Sequence, residues 1–113
     1  MYFDYGSEEE EAYRNHLKFK LKILIKLKEK ISKTRDEEID KTIEEVEKIL
    51  WEKLRYFEEQ EDMYEEDFYS GFRRIFTEYL IEFIQSLKGK KKEEILKILS
   101  KSIEDARKEL EEY

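Results

Sequence analysis

Residues 34–57 read TRDEEIDKTIEEVEKILWEKLRYF, and their apolar positions decide the fold class. Ile39, Ile43, Val46, Leu50, Leu54 and Phe57 follow one another in steps of 4, 3, 4, 4 and 3. Side chains at that spacing share one face of an α-helix, because 3.6 residues complete a turn. Most positions between them are charged, so the stretch predicts an amphipathic helix with one buried stripe. Thr34-Arg35-Asp36-Glu37 reads as its capping box: the threonine oxygen would accept an early backbone N–H and Glu37 would reach back.

Upstream, Ser7-Glu8-Glu9-Glu10 has the same form, and acids in a first turn suit the helix dipole. A helix over about 7–32 follows, with lysines crowding its C-terminal half. Within it Leu17-Lys18-Phe19-Lys20-Leu21-Lys22-Ile23 alternates as a strand does. Leu17, Leu21, Leu24 and Ile31 also form a helical stripe, and no second strand pattern exists to pair with, so helix is the better reading. Downstream, Phe68, Phe72, Ile75, Phe76, Tyr79, Leu80, Phe83, Ile84 and Leu87 predict a third helix over about 63–88, closed by Gly89. Ile95, Leu99, Ile103, Ala106 and Leu110 predict a fourth over about 91–112.

The boundary between the second and third helices is marked less sharply, since the apolar period runs on through Phe57, Tyr64 and Phe68. An unbroken helix from 34 to 88 would be about 80 Å long at 1.5 Å per residue, too long for one compact domain. Asp62-Met63-Tyr64-Glu65 offers a capping box and Ser70-Gly71 a second break; the expected break lies near 60–63, after a second helix over about 34–60. The chain contains no proline and only three glycines, which suits long helices with short links better than a sheet. The expected fold is all-α, a single domain over 1–113 arranged as an up-down-up-down four-helix bundle.

Sixteen aromatic residues among 113 argue against disorder despite 47% charge. The net charge is −7, but it is unevenly placed: −5 over residues 1–13, +8 over 14–35, −11 over 36–70 and +1 over 71–113. The overall sign argues against nucleic acid as a partner. The basic run Lys18, Lys20, Lys22, Lys26, Lys28, Lys30 and Lys33 is the segment most suited to phosphate or membrane binding, yet it directly precedes the acidic block and is expected to pack beside it in a hairpin. No stretch reaches the roughly 18 apolar residues of a membrane helix, and the first residues have no signal-peptide form, so the default expectation is a cytoplasmic protein.

Chemistry is sparse. With no cysteine, thiolate metal sites and thiol nucleophiles drop out. His16 is the one histidine, and no Glu-x-x-His pair accompanies it, so neither a di-iron site nor a triad can be built from motif spacing. Glycines 6, 71 and 89 are too far apart for a phosphate loop. No enzyme activity, cofactor, metal or small-molecule ligand is expected.

Projected at 100° per residue, the second and fourth helices have narrow apolar arcs and the first and third have wide ones. Phe19 and Ile23 widen the first; Leu80, Ile84 and Leu87 widen the third; Trp51 falls on the polar side of the second. The plainer reading is that the wide faces serve a four-helix core with ordinary boundary residues; the sharper one makes these six residues the candidate interface, for a second copy of the chain or for another protein.

The paired capping boxes, the short link at Ser32-Lys33 and surfaces such as Lys91-Lys92-Glu93-Glu94-Ile95-Leu96-Lys97 resemble de novo designed helical bundles over the whole chain. That resemblance implies a non-catalytic structural or scaffold protein. Two features depart from it: there are only two alanines, and aromatics are abundant. The departures suit an alternative, a natural interaction module from a hyperthermophile or its virus, with homodimerisation through the wide faces.

Overall fold

The structure is a computed structural model describing residues 2–63 and 68–112, with side chains over 10–56, 58–59 and 73–112. Four α-helices account for nearly all of it: α1 Tyr2–Lys33, α2 Ile39–Met63, α3 Phe68–Gln85 and α4 Lys92–Glu111, with a single 3₁₀ turn at Asp36–Glu38 before α2. Among the described residues there is no strand, and Leu17–Ile23 lies inside α1. The chain is an all-α four-helix bundle.

Ties between helices fix their directions. Phe19 meets Lys53, and Thr34 meets Thr42, so α1 and α2 are antiparallel. Gln85 donates to Glu47 and the Gly89 N–H donates to Asp40, which sets α3 antiparallel to α2. The Tyr13 hydroxyl bonds Glu109 at one end while Lys92 Nζ donates to the Thr34 carbonyl at 2.9 Å at the other, which sets α4 antiparallel to α1. The order is up-down-up-down. The closest pairings are α2 with α3 and α1 with α4, and α1 also packs against both α2 and α3. The Cα trace spans 52 × 32 × 17 Å. Its long axis matches the roughly 48 Å of a 32-residue helix, and its thickness that of two helix layers.

The core is one continuous apolar cluster. Leu24, Leu27 and Ile31 of α1, Ile43, Val46 and Leu50 of α2, Ile84 and Leu87 of α3, and Ile95 and Leu99 of α4 are all inaccessible or nearly so. Each such side chain contributes about 1.5–3 kcal/mol relative to exposure.

The helix ends differ from the sequence reading in instructive ways. α1 begins at Tyr2, so Ser7 is interior and does not start the helix. A capping box favours a start but cannot enforce one, because serine is tolerated inside a helix and no proline stands upstream to stop it. Thr34 does not cap α2. Its hydroxyl donates to the Lys30 carbonyl at 2.5 Å and its N–H to Ile31 at 3.1 Å, so it finishes α1. Arg35 takes the extended N-cap conformation instead, without a side-chain bond, and the 3₁₀ turn leads into α2. α2 runs past the expected break to Met63, Ser70-Gly71 is helical inside α3, and residues 64–67 lie outside the described residues. At the other end, α3 stops at Gln85, three residues before the expected limit. Bonds from Leu87 N–H to Ile84 and from Lys88 N–H to Gln85 tighten the chain into turns there. Gly89 follows at φ 81°, a left-handed backbone that glycine alone adopts without penalty.

Candidate functional site: a cationic cleft and a polar clamp

The six expected interface residues are not together on the surface. Ile84 and Leu87 have no exposed area, Leu80 has 2% and Ile23 has 7%; all four belong to the chain's own core. The physical reason is that α1 packs against α2, α3 and α4, and α3 against both α2 and α1, so these side chains are covered by neighbouring helices of the same bundle. Phe19 is half-buried against the core, with the Lys53 ammonium 3.8 Å from its ring centroid. Only Trp51 remains largely exposed, at 48%.

Trp51 has a defined partner. Its indole N–H donates to Glu47 one turn earlier at 3.3 Å. Glu47 is a buried carboxylate on the α2–α3 seam, and it also accepts from Gln85 Nε2 and pairs with Lys88 at 2.9 Å. Burial pushes its carboxyl up, but hydrogen bonds from Gln85, Lys88 and Trp51, with the Lys88 charge, outweigh that and hold it below its ordinary value. Lys88 is raised reciprocally, first through its bond to Glu47. The arrangement is a clamp that fixes the register of α2 on α3.

A second feature joins three helices. A cleft of about 310 Å³ opens where Ala12, Asn15, His16 and Phe19 of α1 face Lys53 and Tyr56 of α2 and Arg73 and Thr77 of α3. Ala12, His16 and Phe19 step by four and three along α1, Lys53 and Tyr56 by three along α2, and Arg73 and Thr77 by four along α3, spacings that share one helical face. Thr77 is buried with its hydroxyl donating to the Arg73 carbonyl at 2.7 Å, so it closes the floor rather than pointing outward. His16 stacks on Phe76 at 4.6 Å between centroids. Burial, reinforced by the charge of Lys20, lowers its pKa to about 4, so it is neutral at pH 7. Lys53 is lowered from its ordinary range by burial first and then by the charges of Arg73 and Lys22. The cleft therefore gathers like charges, and its lining contains no carboxylate among the described residues.

The lysine-rich α1 packs antiparallel beside the acidic α2, as the hairpin reading expects, but without charge pairing across the seam among the described residues. Among the described residues none of Lys18, Lys20, Lys22, Lys26, Lys28, Lys30 and Lys33 pairs with an α2 carboxylate; the ion pairs there are Lys88 with Glu44 and Glu47, Lys90 with Glu94, and Lys108 with Glu104. Lys18, Lys22 and Lys26 lie exposed along α1 beside half-buried Leu21 and Ile25, while Glu44, Glu45 and Glu52 point outward on α2. The α1–α2 seam is filled by apolar side chains and by the Phe19–Lys53 contact, which leaves both charged rows in solvent.

Sequence reasoning singled out His16 and Phe19 but not their cleft neighbours. Lys53 and Arg73 are two charged residues among many, and no spacing along the chain joins α1, α2 and α3 at this point. No helix among the described residues is long and apolar enough to cross a membrane. No family model matches this sequence, and no curated protein or solved structure matches it either.

Proposed function

We propose that the chain is a non-catalytic structural bundle that works as a single folded copy. The observation that supports this is the fate of the wide apolar faces: Ile23, Leu80, Ile84 and Leu87 all lie within one continuous core. A surface meant for a partner keeps its anchors exposed in the free protein, and these are not. The patterned Glu/Lys exterior, which resembles designed bundles, fits the same role.

An interaction module is the second reading, favoured by one observation: Tyr79 is 64% exposed and Ile75, one turn away on α3, is 39% exposed. Ile84→Asp tests the structural reading. At a core position a charge without a partner is expected to abolish the cooperative unfolding transition and most of the helical circular dichroism, since burying it costs several kcal/mol. A well-folded Ile84→Asp protein would mean that this face is not closed within the chain, and the structural reading would fall.

A further inference from the structure

The outward face of α1 is built from two neighbouring rows. Lys18, Lys22 and Lys26 stand one turn apart in the first, all exposed, and Leu21, Ile25 and Glu29 form the second. A shallow groove of about 470 Å³ runs along them. Rows of residues four apart are the ridges and grooves into which a second helix packs. From Lys18 to Glu29 the strip is about 16 Å long at 1.5 Å per residue, three turns of a docked helix. Leu21 and Ile25 differ from Ile23, Leu80, Ile84 and Leu87: they touch the core and still keep part of their surface open. None of the three lysines forms an ion pair among the described residues, and α1 meets α2 through apolar side chains rather than through them.

Charge chooses the occupant. Lysines beside an aliphatic row match a partner that carries carboxylates beside apolar side chains. An anionic membrane matches less well. It is wider than the strip and would also approach the acids of the neighbouring α2, and Leu21 and Ile25 lie half-buried among the lysines rather than raised as anchors. We propose that this strip docks an acidic amphipathic helix of another protein. Its apolar side chains lie on Leu21 and Ile25, and its carboxylates lie against Lys18, Lys22 and Lys26. At physiological salt charges act over about 8 Å, so the local row rather than the net charge of the chain decides the contact.

The test titrates the full chain with a fluorescein-labelled helical peptide that has leucines on one face and glutamates beside them, read by anisotropy and by backbone amide chemical shifts. The expected result is saturable binding that weakens with salt, with shifts concentrated over residues 18–29. Lys22→Glu combined with Lys26→Glu should weaken binding tenfold or more while helical circular dichroism stays that of the parent, since both side chains are exposed. Lys97→Glu, at an exposed lysine of α4, should change nothing. A peptide with serine in place of leucine should bind at least tenfold more weakly, and one with lysine in place of glutamate should not bind. Absence of saturable binding, shifts elsewhere on the bundle, or indifference to the double charge reversal would each overturn the proposal. So would either rival occupant: sedimentation with phosphatidylserine vesicles, or a solution mass of twice the chain, abolished by the same double variant.

Discussion

The imidazole of His16 lies against the Phe76 ring with Lys20 nearby, and burial and charge together disfavour its protonated form. The unfolded chain takes up this proton as pH falls through 6.5, whereas the folded chain does so only near 4. The stabilisation is complete above pH 6.5 and is lost between 6.5 and 4. Its full size is at most about 3 kcal/mol, reduced because the ring keeps some solvent contact. His16→Phe preserves the stacking and removes the titration. Its urea midpoint should fall less than that of the parent between pH 7 and pH 4.5, and an equal fall in both proteins would remove His16 as the cause. Glu47 acts at more acid pH. Its carboxyl is held below the ordinary 4.5, so its contribution is present above that value and lost below it. Glu47→Ala leaves the Trp51 N–H, Gln85 and Lys88 without their shared acceptor and should cost about 1–3 kcal/mol. Trp51 is the single tryptophan, so its fluorescence reports the loss of this clamp directly. Glu47→Gln keeps an acceptor and should cost less.

At the scale of elements, the links carry most of what the sequence left open. Gly89 shows how a turn position can be tested: its backbone sits at φ 81°, and a Cβ there would meet nothing within 4 Å. Gly89→Ala should therefore cost about 1–2 kcal/mol through backbone strain alone, with Gly89→Asn milder, as read by urea denaturation. The glycine was legible because a helix stop has a residue preference. The apolar stripes were legible for a similar reason, since Ile39, Ile43, Val46, Leu50 and Leu54 all turned out buried. The caps were not. Ser7 and Thr34 match a local motif, but Thr34 serves the carbonyl behind it rather than the N–H ahead, and nothing in four residues of sequence distinguishes those uses. The cleft was less legible still. Lys53 and Arg73 become neighbours only when α3 folds back along α2, a contact that depends on the register set by Glu47, Gln85 and Gly89 rather than on any periodicity.

At the scale of the whole molecule, the account rests on how the apolar surface is divided. The wide arcs of α1 and α3 admit two readings, a four-helix core with ordinary boundary residues or a surplus beyond one core. In the bundle α1 packs on α2, α3 and α4, and the surplus disappears into the chain itself. Outside, the exposed lysines of α1 and the exposed acids of α2 face solvent in separate rows that contribute little to stability, alongside scattered exposed apolar side chains such as Ile49, Trp51, Ile75 and Tyr79. The central claim is that one chain closes its own core. Light scattering across a concentration series tests it most directly. The account predicts a mass of 14.1 kDa at every concentration. A mass of twice that value, unchanged on dilution, would contradict it and place part of the apolar surface between two copies.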